Sequence, residues 1–318
     1  MPVVWIVVLN HHGRTHTIEC LKSVARLTYT RTALVLIDNG CADFAPDEVT
    51  ALFAGAEYRR TETNLGFTGG ANLGLRTALG AGADYILLLN NDATVEPQTL
   101  TELLRVARSD AAIGIVGAKL LRMDMPQVLE CAGLRVDLSW GRVYQIGFGE
   151  RDNGQYDATA DVAAVSGGAM LLSRGVCERL GGFDDRYFAY LEDVDLCVRA
   201  YAAGFRVVFA PPARVYHKGR AASGGGTAPL IVYYATRNHL MLMHRHGRGG
   251  ALLRRLRATA VVALNAAYAL SGAPLQRAAR LRAVYRAVHD FRRDTFGAAP
   301  PSILALARPS ESAASGGR

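Results

Sequence analysis

The segment Leu87-Leu88-Leu89-Asn90-Asn91-Asp92 joins an apolar run to a carboxylate. A buried strand that ends on an aspartate presents a hard oxygen ligand, suited to Mg2+ or Mn2+ bridging phosphate oxygens. The same residues also suit an Asx turn that merely caps the strand. Upstream, Asn64-Leu65-Gly66-Phe67-Thr68-Gly69-Gly70-Ala71-Asn72-Leu73-Gly74 is a glycine-dense turn running into a helix, where backbone amides can approach a phosphate. It lacks the Gly-x-Gly-x-x-Gly spacing of dinucleotide turns and is not followed by Gly-Lys-Ser/Thr, so an ordinary tight connection reads equally well. Downstream, Leu191-Glu192-Asp193-Val194-Asp195 puts three carboxylates at a helix start, where acids are favoured, and Asp195 can pair with Arg199 at i, i+4. Asp193 falls on another face, beside Glu192 and among Phe183, Tyr187, Phe188 and Tyr190, surroundings in which a carboxylate can serve as a general base. His217 follows a strand and precedes the glycine-rich stretch 220–229, a position open to a metal, a phosphate or a structural role.

Three apolar runs must position these groups: Val3–Leu9, Ala33–Ile37 and Tyr85–Leu89. Each ends in Asn or Asp, at Asn10, Asp38-Asn39 and Asn90-Asn91-Asp92. Runs without polar alternation fit strands covered on both faces. Helical spacing over Thr17–Leu27 and Gly70–Leu79 alternates with them, which predicts an α/β, doubly wound, mostly parallel sheet. Ligands of such sheets sit at the carboxyl ends of the strands, where the three polar endings fall. Farther on, the pattern predicts a helix over Pro97–Arg108, a strand over Ile113–Ala118, hairpins from Arg122 to Asp161, and a strand over Val162–Ser173. A short helix at Cys177–Leu180, a helix at Leu191–Ala203 and a strand at Phe205–Ala210 follow. Beyond Leu230 the chain reads as helical to Phe296, and Gly297–Arg318 reads as a frayed tail.

The 318 residues are half apolar and a fifth charged, a globular balance that excludes collagen, coiled coil and wholesale disorder. Five scattered cysteines with no Cys-x-x-Cys argue against a disulfide scaffold or zinc knuckle and for a reducing cytoplasm. The opening Met1–Leu9 has no basic residue ahead of its apolar run and reads as a strand rather than a signal peptide. The net charge of +8 is concentrated: from Arg237 to Arg293 there are twelve Arg and one acid, Asp290. Within this segment Ala258–Gln276 is uncharged over 19 residues. A spanning helix, an amphipathic hairpin facing an anionic membrane surface, and a solvated helical cap are the three readings of it. No nucleic-acid recognition motif accompanies the charge.

The ordered set Val8-Leu9-Asn10, Leu36-Ile37-Asp38-Asn39-Gly40, Asn64-Leu65-Gly66-Phe67, Leu89-Asn90-Asn91-Asp92, Gly181-Gly182-Phe183-Asp184, Glu192-Asp193-Val194-Asp195-Leu196, His217 and Arg237-Asn238 resembles family-2 glycosyltransferases. It is most similar to the rhamnosyltransferase-like bacterial branch that builds cell-surface polysaccharide, over residues 3–245. The resemblance implies a GT-A fold over 1–236, with a nucleotide-sugar half to about 120 and an acceptor half after it, then a basic helical extension at 237–296 and a flexible tail at 297–318. It implies inverting transfer of a sugar such as rhamnose from a nucleoside-diphosphate sugar to a glycan or polyprenyl-linked acceptor, with Mg2+ or Mn2+, in the cytoplasm at the inner face of the cell membrane. By the same resemblance Asp38 contacts the pyrimidine base with Asn10 near the nucleoside, and Asn64, Gly66 and Asn91 lie along the nucleotide sugar. Asp92 matches the last acid of the metal-binding Asp-x-Asp motif, His217 completes the metal site, and Asp193 is the base that deprotonates the acceptor. Glu192 and Arg237 are accessory, on the acceptor side. Asn10-His11-His12 stands where the family usually has Asn-Tyr-Asn, and Asn90 replaces the first acid of Asp-x-Asp. Without Gln-x-x-Arg-Trp, a single addition is expected rather than polymerisation. Two other readings use a similar sheet. A sugar-phosphate nucleotidyltransferase needs a glycine-rich basic loop after the first strand, which Asn10–Arg14 imitates poorly, and a non-catalytic binding protein has no use for both Asp92 and Asp193.

Overall fold

The computed structural model describes residues 1–139, 142–219, 228–247, 249–271 and 274–307. The chain divides into two compact units, Met1–Asp137 with Arg142–Ala222, and Leu138–Gly141 with Ser223–Arg318.

In the first unit the three apolar runs form β1 (Val4–Asn10), β2 (Thr32–Asn39) and β4 (Tyr85–Asn90). With β3 (Glu57–Thr61) they lie parallel in the order β3-β2-β1-β4. The sheet continues through β11 (Ala169–Ser173), antiparallel to both its neighbours, then β6 (Ile113–Arg122), β12 (Arg206–His217) and β10 (Ala160–Asp161). Two short strands, β5 (Ala93–Val95) and β7 (Leu129–Cys131), pair with β12 and β6. A hairpin of β8 (Leu134–Asp137) and β9 (Arg142–Gln145) stands apart. Successive strand residues point to opposite faces, so the complete burial of Ile86, Leu87, Leu88 and Leu89 means that both faces of β4 are covered.

The covering helices are α1 (Arg14–Val24), α2 (Pro46–Leu52), α3 (Gly66–Gly80), α4 (Thr99–Ala107), α5 (Arg174–Leu180) and α6 (Glu192–Ala202). Helix α3 starts four residues before the position its apolar spacing predicts. Its Gly70 and Gly74 lie against Leu9 and Val7 of β1, and a Cβ at either would overlap those side chains. The glycine density of this segment therefore serves helix-to-strand contact and is not all phosphate cradle. The strand expected over Val162–Ser173 is confined to Ala169–Ser173, because Gly167-Gly168 interrupts the run. Helix α2 and edge strand β3 carry exposed charges with little apolar pattern, which is why their sequence signals neither element.

The second unit contains α7 (Pro229–His246), α8 (Ala251–Ser271), α9 (Arg277–Arg292) and α10 (Pro301–Ala307). Leu240, Met243 and Val261 form its centre, with Ala258, Val262, Val288 and Phe291 packed around them. The expected boundary at 236/237 falls inside the unbroken helix α7. Part of the expected tail, Pro301–Ala307, is helix α10. Pro301 sits in the first turn of α10, where a missing amide costs nothing, and Ile303 is 2% exposed. Residues 308–318 and the expected loop at 220–227 lie outside the described residues. Among the described residues no helix is long and apolar enough to cross a membrane.

Candidate active site

The parallel register sets Asn10 beside Asp38 and Leu9 beside Asn90, so the polar strand endings share one edge. Asn10 is fully buried and joins its neighbours. Its Nδ2 donates to Asp38 Oδ1 and Asp43 Oδ2, both at 3.1 Å, while its Oδ1 accepts from Thr17 (2.8 Å), Asn91 (3.3 Å) and the Gly13 amide (3.3 Å). Asp38, also fully buried, accepts from Cys41 Sγ (2.7 Å), Tyr58 Oη (2.7 Å), the Asp43 amide (2.9 Å) and Asn10. Burial works to raise its pKa, and these four donors outweigh it and hold the carboxyl below its ordinary value. Four donors fill the acceptor capacity of a carboxylate. In this geometry the four donors engage both oxygens of Asp38 and shape the loop after β2. Asn10 and Asn91 act in the same network. The partly exposed carboxylate there is Asp43, whose donor atom lies within 4.8 Å of those of His12 and Cys41. Burial and the Asp38 hydrogen bond push the Cys41 thiol up to about 12, so it remains a protonated donor rather than a thiolate ligand.

Next along the edge, Asn39 clamps the turn that opens α3. Its Nδ2 donates to Asn64 Oδ1 (3.1 Å) and the Gly66 carbonyl (3.0 Å), and its Oδ1 accepts from the Leu65 amide (2.9 Å). His11 Nδ1 donates to the Asn39 carbonyl at 3.0 Å, leaving Nε2 to accept from Asn64 Nδ2 at 3.1 Å. Gly66 has φ +74°, and a Cβ there would collide with the Phe188 carbonyl and ring. That close approach locks the turn at the start of α3 to the loop before α6, where Phe188, Tyr190 and Leu191 all have positive φ.

Asp92 immediately precedes β5, and β5 pairs Ala93 with His217 at the end of β12. His217 Nε2 thereby stands 3.1 Å from Asp92 Oδ1 and 3.2 Å from Asn90 Nδ2. On the other side of the ring, Nδ1 is 2.9 Å from both oxygens of Glu130, a residue of β7. Burial alone would lower the His217 pKa, but the hydrogen bonds and charges of Asp92 and Glu130 push it up to about 10. Two cation ligands at right angles and ~2.1 Å from a Mg2+-sized ion stand about 3 Å apart. Asp92 Oδ1 and His217 Nε2 fit that spacing, Glu130 on Nδ1 holds the ring so that Nε2 faces the carboxylate, and a cation there would displace the Nε2 proton that the raised pKa keeps on the ring.

Asp193, in the first turn of α6, accepts from the Gly167 amide at 2.9 Å and the Val194 amide at 2.8 Å. Burial raises its pKa against those two amides. Glu192 is raised well above the ordinary value by burial and by the Asp193 charge, and its Oε2 is buried with no hydrogen-bond partner, as suits a neutral acid. Asp195 pairs with Arg199 at 2.7 Å, the structural role its spacing predicts. Arg237, expected as an accessory residue, is 0% exposed in α7. Its guanidinium donates to the Gly297 carbonyl (2.7 Å) and stands over Tyr233 and Tyr234 at 5.3 and 5.2 Å, a packing role within the second unit.

Sequence reasoning missed Glu130, Asp43 and Gly167, and it named Asn39 only as a polar strand ending. Only Gly167 carried a local signal, a Gly-Gly pair inside an apolar run. The nucleotidyltransferase reading loses its basic loop, because Arg14 is committed to Glu48 (2.6 Å) and the Asp43 carbonyl (2.6 Å).

Residues 2–228 match the family described as "Glycosyltransferase like family 2". An N-acetylglucosaminyl-diphospho-decaprenol L-rhamnosyltransferase of Mycobacterium tuberculosis is 25% identical over 265 residues, covering 76% of this chain and 84% of that protein. A mannosyltransferase of Pyrobaculum calidifontis solved with GDP-Man and Mn2+ has a TM-score of 0.55 at 16% identity, over 96% of this chain and 84% of that one. GalNAc-T7 solved with UDP, GalNAc and Mn2+ has a TM-score of 0.57 at 18% identity, over 68% of this chain and 43% of that one. At such identities the two structures speak for the fold, which is GT-A. The family match spans the sheet and every strand-end group described above, and the chain belongs to glycosyltransferase family 2.

Proposed function

We propose that the chain transfers a sugar, with inversion, from a nucleoside-diphosphate sugar to a hydroxyl of a polyprenyl-diphosphate-linked glycan at a membrane surface, in the synthesis of a cell-surface polysaccharide. A lipid-linked acceptor of this kind is what the name of the M. tuberculosis relative states for that protein. Rhamnose is the donor sugar this relative suggests.

Asp193 takes the proton of the acceptor hydroxyl as its oxygen forms a bond to the anomeric carbon. The bond from that carbon to the diphosphate oxygen breaks on the opposite side, the nucleoside diphosphate leaves, and one displacement inverts the configuration. Asp92 and His217 would hold a divalent cation, with Glu130 orienting the imidazole. Bound there, Mg2+ or Mn2+ supplies Lewis-acid neutralisation of the charge that builds on the leaving diphosphate. The turn at Asn64–Gly66 and the Asp43 carboxylate form the nucleoside side.

One observation carries this reading. Gly167 donates to Asp193 while the adjacent Gly168 accepts from the Asn90 amide at 3.0 Å. The base is thus tied through two consecutive residues to the strand end that bears Asp92. The test is nucleoside diphosphate release from a panel of nucleotide sugars with added Mn2+. Donor-dependent release that Asp92→Ala abolishes supports the proposal, and turnover that survives thorough chelation with EDTA overturns its metal half.

A further inference from the structure

Helix α8 carries an outward face with no charge on it. Turning about 100° per residue, Leu252, Leu256, Ala263, Ala267 and Leu270 fall within an arc of about 60°. Leu252, Leu256 and Leu270 are 72%, 59% and 47% exposed. The opposite face holds Val261, fully buried against Leu240 and Met243. Single exposed leucines are ordinary on a soluble surface, but a charge-free stripe along a 21-residue helix marks an interaction face.

The surrounding charge selects the partner. Between Arg237 and Arg293 the one acid, Asp290, is 1% exposed and bound to Tyr233 and Arg286. Arg254, Arg255, Arg277, Arg282, Arg292 and Arg293 are exposed, whereas Arg237, Arg257 and Arg280 are buried. A second copy of this chain would bring the same positive surface against itself and be repelled. Anionic phospholipid offers the opposite charge and an apolar layer for the leucines.

We infer that α8 lies in the plane of an anionic bilayer, its Leu252–Leu270 face in the acyl boundary and the exposed arginines on the headgroups. This rests on the reading of a lipid-linked acceptor, which such a posture would present to the enzyme. Arginine attraction weakens as salt rises, and leucine immersion does not.

The test is flotation of the full chain with vesicles of phosphatidylcholine alone or mixed with phosphatidylglycerol. Binding to the mixed vesicles is expected, and roughly tenfold weaker binding for each of Leu252→Glu and Leu256→Glu. Arg254→Gln with Arg255→Gln should weaken binding at low salt and change little at high salt. Thermal melting of each variant establishes that it is folded, since neither leucine packs in the core. Folded leucine variants that float like the wild type overturn the inference, as does a wild-type chain that ignores the mixed vesicles. A dimer in solution that the leucine variants dissociate overturns it in favour of a second copy. Donor hydrolysis measured on the same samples keeps the two proposals apart, because its loss with flotation intact counts against the transferase reading alone.

Discussion

The Gly167 amide donates to Asp193 Oδ2 at 2.9 Å, fixing the carboxylate of α6 against the residue that leads into β11. The same carboxylate receives the Val194 amide on its other oxygen. Both oxygens are thus oriented by backbone, which does not reorganise when a substrate enters. Asp193→Asn keeps the size of the side chain but sets its amide NH2 against one of these two backbone donors.

Asp193→Asn should therefore lower the melting temperature somewhat while the chain still folds and binds donor, and transfer should fall by roughly 10²–10⁴-fold, the range for removal of an acid–base group. Steady-state transfer together with donor binding by calorimetry checks this. A variant within a few-fold of wild type would reduce Asp193 to a helix-start acid.

The pH profile follows from the raised pKa values of the Glu192–Asp193 pair. The base must be ionised to accept a proton, so activity should be lost as pH falls through the raised Asp193 value. The acid limb should lie above the ordinary carboxylate value of about 4. Glu192 is raised further and is already neutral there, so Glu192→Gln should leave the limb in place. If Glu192 were the base instead, that variant would be inactive.

What the sequence revealed and what it hid have separable causes. The strands β1, β2 and β4 were legible because continuous apolar runs ended in Asn or Asp, and Asp92, Asp193 and His217 were legible as motif residues. Glu130 was not, since it reaches His217 only through the pairing of β7 with β6 and of β6 with β12. Asp38 and Asp43 share one short loop, and only the three-dimensional hydrogen bonding separates the saturated carboxylate from the partly exposed one. The burial of Arg237 was hidden for a related reason. Charge counts along a helix do not reveal that aromatic rings and carbonyls can take a guanidinium inside.

That difference between Asp38 and Asp43 is testable. Asp38→Asn turns an amide group toward its four donors and should cost on the order of 3 kcal/mol of stability. The stabilisation Asp38 provides should be present at neutral pH and fade as pH falls from about 4 toward its depressed folded value. Asp43→Asn should leave the melting temperature nearly unchanged and weaken donor binding. Thermal scans from pH 7 to pH 3 and donor titrations distinguish the two. Equal melting temperatures for both variants would contradict this assignment.

Lys119 makes the clearest stability prediction. Its ammonium is 0% exposed and lies 3.0 Å from Asp152, whose side chain is 7% exposed, and beside Asp157. Lys119→Met leaves Asp152 buried with Arg214 at 3.1 Å and the Gly154 amide, without its closest buried cation, and should cost about 3 kcal/mol. Adding Asp152→Asn should recover part of that loss, and a double-mutant cycle by urea unfolding measures the coupling. Strict additivity would show that the pair does not interact.

Glu130 is a positioning residue, because it touches the His217 imidazole rather than any reacting atom. Glu130→Gln keeps an oxygen that can accept from Nδ1, so the ring should stay in place, but the negative charge that makes Nε2 a better ligand is gone. The expected result is about 10–100-fold weaker Mn2+ affinity with an unchanged melting temperature. At saturating Mn2+ the turnover should return close to wild type, whereas Asp92→Ala should not be rescued at any concentration. Mn2+ titrations of binding and of activity read both outcomes. If Glu130→Gln binds Mn2+ as tightly as wild type, the carboxylate behind His217 serves the packing of β7 and not the metal site.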